Sequence, residues 1–131
     1  MENMPEKKLL LIHTSDTHLG DPAGHPEASA ALVSVVEAVA RNKGDMLLIA
    51  GDVFDNERVS DDLLEWFVTQ MGHLDTPAIL LPGNHDLIHE TSVYHRDAFR
   101  NASENLFVFR DTDGEVLSFP DRGIDLWGRA M

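Results

Sequence analysis

The chain has 131 residues, of which 43% are hydrophobic and 25% charged, as in an ordinary soluble globular protein. No apolar stretch is long enough to span a membrane, so we expect no membrane partner and take the cytoplasm as the default location. The absence of cysteine excludes disulfides, thiolate metal sites and a cysteine nucleophile. The formal charge of −13 disfavours a polyanionic substrate on charge alone, since basic residues do not cluster.

Three segments of the chain share one design, in which a short apolar run is followed at once by polar residues. Short, nearly continuous apolar runs are typical of strands that are covered on both faces of a sheet. The runs are Leu9–Ile12, Met46–Ala50 and Ala78–Leu81, and the polar residues that follow them include Asp16, His18, Asp52, Asn84 and His85.

Helical periodicity separates these runs. Residues 28–40 are rich in Ala and Val, and residues 60–71 begin with capping and acidic residues and end before Gly72. The spacing predicts strand-helix-strand units, which make neighbouring strands parallel. We therefore predict an α/β fold: a mixed sheet with parallel units flanked by helices, with the polar residues meeting at its carboxyl edge.

The rest of the chain differs in character. Residues 91–105 resemble an irregular or briefly helical connection, and "LFVFR", "EVLSF" and "IDLWG" predict a small antiparallel meander that extends the sheet or packs on it. We expect residues 1–131 to form a single domain and residues 1–7 to be flexible.

The polar residues of the three segments form a set of oxygen and nitrogen donors. Carboxylates, imidazoles and an amide suit hard or borderline divalent ions such as Mn²⁺, Fe²⁺ and Zn²⁺. The carboxylate of Asp52 can bridge two ions, and His85 is a candidate acid because imidazole titrates near neutrality. Any one of these clusters is ordinary turn chemistry, but three together after buried-type strands favour a metal site.

The motifs "DTHLG", "GDVFD" and "PGNHD" resemble the first three signatures of the calcineurin-like metallophosphoesterases, most closely the SbcD-type DNA-repair exonuclease branch. The resemblance implies the N-terminal part of an αββα sandwich with two divalent ions, Mn²⁺ foremost and Fe or Zn as alternatives. It implies that Asp16 and His18 are ligands of the first metal, Asp52 the bridging ligand, Asn84 a ligand of the second metal, and His85 the catalytic histidine. It also suggests that Asp55 orients or polarises His85.

The family completes its site with a further histidine and a Gly-His-x-His motif, both well downstream of "PGNHD", and this sequence has neither at such a position. The resemblance therefore implies an incomplete domain and leaves three functions open. These are a DNA exonuclease, a phosphodiesterase that acts on a small substrate, and a truncated or split half-domain that binds metal without catalysis. A homodimer or a partner subunit could supply the missing histidines.

Overall fold

The computed structural model describes residues 8–20, 26–83, 86, 88 and 92–131. Both predicted helices and the last two predicted strands closely match elements of the structure. Ser60 caps the second helix as its composition indicates, and its hydroxyl accepts a hydrogen bond from the N–H of Leu63. In chain order the elements are β1 (Leu11–Thr14), α1 (Pro26–Arg41), β2 (Met46–Ala50), α2 (Asp61–Gly72), β3 (Ala78–Leu81), a 3-10 turn (Val93–His95), α3 (Asp97–Arg100), β4 (Leu106–Val108), β5 (Glu115–Phe119), a second 3-10 turn (Pro120–Arg122) and β6 (Ile124–Gly128).

Four strands form one parallel sheet in the order β1-β2-β3-β4. The parallel strand-helix-strand units and the α/β fold class are thus confirmed. The antiparallel part predicted for the sheet is separate, because β5 and β6 pair only with each other in the part of the chain that is described.

The prediction for "LFVFR" was wrong in one respect, since β4 does not belong to an antiparallel meander. Leu106–Val108 pairs in parallel with β3. The 3-10 turn and α3, which lie between β3 and β4, return the chain to the starting edge of the sheet, as a parallel neighbour requires.

The two faces of the sheet have different covers. The three α-helices pack on one face, where Leu47, Ile49 and Leu80 meet helix residues such as Leu32 and Phe67. The β5-β6 hairpin covers the other face through a smaller cluster around Met46, Ile79 and Phe109. The result is a helix layer, a parallel sheet and a hairpin layer.

The expectation that all three strands are covered on both faces holds for β2 and β3 but not for β1. Exposure alternates along Leu11–Thr14, and Leu11 itself is 39% exposed. The reason is position: β1 is an edge strand, whereas the cluster under the hairpin is built on residues of β2, β3 and the segment after β4. Among the helices that the structure describes, none is both long and apolar enough to cross a membrane.

Candidate metal centre

The loops that follow β1 and β2 run side by side beyond the ends of these strands. The N–H of Asp16 donates to the carbonyl of Gly51 at 3.0 Å, and the N–H of His18 donates to the carbonyl of Asp52 at 3.0 Å. A bridge between Leu19 and Phe54 continues the same pairing. The backbone therefore brings the polar residues of the first two motifs to one place.

Three residues other than glycine in these loops have left-handed backbone, with φ of 55° at Asp16, 47° at His18 and 51° at Asp52. Residues other than glycine seldom adopt this backbone conformation, although Asp and His tolerate it better than most. Each such residue costs on the order of 1–2 kcal/mol, which the paired loops must offset. Backbone of this kind concentrates at functional sites.

The side chains of Asp16, His18 and Asp52 converge, as the sequence predicted. One ligand atom from each lies within 4.8 Å of the others. The Nε2 atom of His18 lies 3.9 Å from Oδ1 of Asp16. Two carboxylates and one imidazole in this arrangement fit a divalent ion of the hard or borderline kind.

Asp55 contacts His18 on the opposite side of the imidazole. Its Oδ1 lies 3.4 Å from Nδ1 of His18, and its side chain is 26% exposed. A carboxylate at one ring nitrogen fixes the orientation of a histidine and leaves the other nitrogen available to a metal. The predicted partner of Asp55, His85, lies outside the described residues, so that pairing stays a prediction.

Asn84 and His85 both lie outside the described residues, but Gly83 places the start of their loop. A Cβ atom at Gly83 would lie 2.6 Å from both the backbone nitrogen and Oδ1 of Asp52. Only glycine allows the third loop to approach the metal site this closely. The glycine of the Pro-Gly that ends the third apolar run therefore has a packing role.

Two further residues at the site were not predicted, Asp86 and Tyr94. The Tyr94 hydroxyl donates a hydrogen bond to Oδ2 of Asp86 at 2.5 Å, and both side chains are buried. Burial raises the pKa of Tyr94 well above its ordinary value of 10.0, and the negative charge of Asp86 raises this pKa further. The phenol is therefore neutral and available as a donor. Asp86 was visible in the sequence as the last residue of "PGNHD", whereas nothing in the sequence marked Tyr94.

The chain matches a known protein family over most of its length. The profile of the calcineurin-like phosphoesterases matches residues 9–128. This match includes Asp16, His18 and Asp52 and extends through the β5-β6 hairpin.

Curated relatives are similar at low identity. A subunit of the SbcCD nuclease of Escherichia coli K12 is 28% identical over 78% of the chain, and the DNA double-strand break repair protein Mre11 of Methanosarcina acetivorans is 29% identical over 62%. A probable cyclic nucleotide phosphodiesterase of Moraxella catarrhalis is 24% identical over 64% of the chain. The chain spans only 25%, 14% and 30% of the lengths of these relatives, respectively.

A solved structure has a similar fold. The crystal structure of Pseudomonas putida nuclease MPE superposes on 78% of the chain, and on 48% of its own, with a TM-score of 0.50. The sequences are 21% identical, so this likeness concerns the fold alone.

Proposed function

The chain belongs to the calcineurin-like phosphoesterase family, and from this premise we propose that it serves the metal-dependent hydrolysis of a phosphodiester. The observation that supports the proposal most strongly is the convergence of Asp16, His18 and Asp52 at the carboxyl edge of the sheet. That edge is where parallel α/β sheets bind their ligands.

The proposal assigns metal-binding and proton-donating roles to individual residues of the chain. Asp16, His18 and Asp52 hold divalent metal, with Asn84 as a ligand of a second ion and Mn²⁺ as the first candidate. Divalent ions supply Lewis acidity and an activated water at neutral pH. His85 donates a proton to the leaving oxygen or stabilises the charge that develops there.

Two substrate classes have support. The names of two similar proteins describe a nuclease and DNA repair, which favours DNA. The charge of −13 and the similar cyclic nucleotide phosphodiesterase favour a small diester, because a dense negative surface repels a polyanion. We propose DNA as the primary substrate. A partner subunit or sequence beyond this chain would supply the basic surface that binds it. We propose the cytoplasm as the location of the protein.

Hydrolysis assays on the 131-residue chain test the proposal. The chain would be incubated with saturating Mn²⁺ and either a small chromogenic phosphodiester, single-stranded DNA or duplex DNA. The matched variant is Asp52→Asn, which keeps the shape of the side chain and tolerates left-handed backbone. We expect turnover of at least one substrate by the unaltered chain and none by the variant.

The outcomes distinguish the possible functions. Cleavage of DNA that weakens steeply as salt rises would support the nuclease, and cleavage of the small diester alone would support the second substrate class. Equal turnover by the unaltered chain and by Asp52→Asn would contradict the proposed site. Metal binding without turnover of any substrate would instead identify a metal-binding half-domain that requires residues from elsewhere.

A further inference from the structure

Asp86 belongs to the loop that follows β3, its carboxylate faces the loop that follows β2, and only 2% of its surface is exposed. Its Oδ1 accepts hydrogen bonds from the N–H of Gly83 at 2.6 Å and from the N–H of Asp52 at 3.2 Å. Its Oδ2 accepts hydrogen bonds from the N–H of Val53 at 2.9 Å and from the hydroxyl of Tyr94 at 2.5 Å. Four donors around one buried carboxylate compensate for the removal of its charge from water.

Two of these bonds flank the α-carbon of Asp52. The amide of Asp52 itself and the amide of Val53 both point at the Asp86 carboxylate. Fixing the peptide before and the peptide after a residue fixes its φ and ψ, and here φ is held at 51° in the left-handed region. The direction of the Asp52 side chain, and hence its meeting with Asp16 and His18, depends on this arrangement.

Tyr94 ties the carboxylate to the core of the protein. The tyrosine is 1% exposed, and its ring lies edge-on to Phe99 with centroids 5.0 Å apart. Its N–H donates to Oγ of Ser92 at 3.2 Å, and its carbonyl accepts from Nη1 of Arg110 at 3.0 Å. The hydroxyl that meets Asp86 is therefore fixed by elements that are not part of the metal loops.

We propose that Asp86 and Tyr94 are positioning residues of the metal centre: Tyr94 fixes the Asp86 carboxylate, and Asp86 fixes the backbone that aims Asp52. Neither residue is a ligand, and both act through Asp52. The inference rests on the metal centre proposed above. A buried hydrogen-bond network can also stabilise the fold as a whole, so the test must separate a local effect on Asp52 from a general loss of stability.

The principal variant is Tyr94→Phe, which removes the hydroxyl and keeps the ring packed. The control is Asn105→Ala, which removes hydrogen bonds from Nδ2 to the carbonyls of Met71 at 2.9 Å and Thr76 at 3.1 Å. Asn105 directly precedes β4, at the opposite end of the sheet from the metal loops. Both variants lose internal hydrogen bonds, but only one of them touches Asp86.

Two measurements are made on each protein. In metal-free protein, nuclear magnetic resonance follows the hydrogen exchange and chemical shifts of the Asp52 and Val53 amides. Calorimetry then measures the affinity for Mn²⁺. We expect faster exchange of both amides in Tyr94→Phe and a Mn²⁺ affinity lowered by about tenfold, the lower end of what the loss of an outer-shell partner costs. Asn105→Ala should leave both readouts as they are in the unaltered chain.

Unchanged amides in Tyr94→Phe, or the same change in Asn105→Ala, would overturn the positioning role. A second variant, Asp86→Asn, puts an NH₂ group where an oxygen of Asp86 accepts hydrogen bonds, so that donors face one another. It should disturb the backbone amides of Asp52 and Val53 more strongly than Tyr94→Phe does. If the unaltered chain binds no Mn²⁺, the proposed metal centre is wrong. The hydrogen exchange of the Asp52 and Val53 amides then still shows whether Tyr94 positions Asp52.

Discussion

At the scale of single residues, the candidate site depends on backbone that most side chains avoid. Asp16, His18 and Asp52 all have positive φ, and the N–H of each donates a hydrogen bond to a neighbouring loop. Among the described residues other than glycine, Lys43 is the one further position with positive φ, so the strain lies mainly in the residues that meet at the site. A change that disturbs the contacts between the loops should therefore affect metal binding before it affects the rest of the fold.

Gly83→Ala tests that dependence. The added Cβ would lie 2.6 Å from Asp52 and 2.9 Å from the α-carbon of Gly51, so the third loop must move away from the second. We expect the free energy of unfolding to fall by about 1–3 kcal/mol, as in other overpacked sites, and Mn²⁺ binding to weaken. Urea denaturation and calorimetry measure the two effects.

Gly72→Ala is the matched control for this change. A Cβ at Gly72, in the last turn of α2, would meet only the side chain of Ser103, with Oγ at 3.4 Å and Cβ at 3.9 Å, which are ordinary contacts. It should leave Mn²⁺ binding intact and the stability unchanged or slightly raised, because alanine favours the helix. If Gly83→Ala behaved as Gly72→Ala does, the close approach of the loops would not matter for the site.

The raised pKa of Tyr94 predicts how the stability of the protein depends on pH in the alkaline range. Its pKa is raised in the folded protein by burial and by Asp86, so the contribution of the neutral phenol is fully present below the ordinary pKa of about 10. Above that pH the Tyr94 phenol ionises in the unfolded chain but stays neutral in the folded chain. The free energy of unfolding therefore falls as pH rises. Urea denaturation of metal-free protein should show a steeper alkaline loss in the unaltered chain than in Tyr94→Phe.

The ultraviolet absorbance of phenolate gives an independent check, because Tyr94 is the single tyrosine of the chain. In urea the absorbance should rise near the ordinary pKa, and in folded protein only at higher pH or on unfolding. Phenolate that appears at the same pH in both states would mean that the hydroxyl is not buried against Asp86.

The sequence predicted part of the site for a clear reason. Asp16, His18 and Asp52 follow apolar runs directly, and parallel strands bring such positions to one edge. The sequence indicated no role for Asp86 or Tyr94, because the buried hydrogen bond between them depends on how the 3-10 turn of Tyr94 packs against the loops. Periodicity along the chain contains no information on that contact.

At the scale of elements, the end of α1 is less than optimal. Lys43 has φ of 54°, and the following N–H of Gly44 donates to the carbonyl of Val39 at 2.8 Å. Helices commonly end with a left-handed residue, which is usually glycine. Here the glycine occupies the next position, and a lysine takes the strained one.

Lys43→Gly should therefore stabilise the protein. We expect the free energy of unfolding to rise by about 0.5–1 kcal/mol, since relief of left-handed strain exceeds the entropy that glycine adds to the unfolded chain. Lys43→Ala, which removes the same charge and keeps the strain, is the control for urea denaturation. Equal stability of the two variants would show that the strain at this position is negligible.

The elements also show where prediction from the sequence fails. The helices and the two central strands are correct because apolar runs and capping residues are local signals. The direction of β4 is not a local property: its three residues are all apolar and fit either direction of pairing, and the crossover before the strand makes it parallel. The exposure of β1 likewise follows from its place at the sheet edge, which its apolar residues do not reveal.

At the scale of the whole molecule, two features stand out: the net charge and the small share of its relatives that the chain spans. The formal charge is −13, and the chain spans 14–30% of the curated relatives that it matches. A net charge far from zero destabilises a compact chain through self-repulsion. Bound divalent ions would relieve only part of that repulsion.

Metal-free protein should thus become more stable as salt rises. Potassium chloride screens repulsion between surface charges, so the urea midpoint should increase with its concentration. The control is a variant in which exposed acidic residues away from the site, Asp125 and Asp113, are replaced by Asn. Its midpoint should be higher at low salt and less dependent on salt. A midpoint that falls with salt would indicate that attractive ion pairs outweigh the repulsion.

Calorimetric titration of the metal-free chain with Mn²⁺ tests the metal centre most directly. Asp52→Asn removes the proposed central ligand, and Asp125→Asn removes the same charge from the exposed face of the β5-β6 hairpin. The unaltered chain and Asp125→Asn should bind Mn²⁺ alike, and Asp52→Asn should lose this binding. Equal binding by all three proteins, or none by the unaltered chain, would contradict a metal centre built on Asp16, His18 and Asp52.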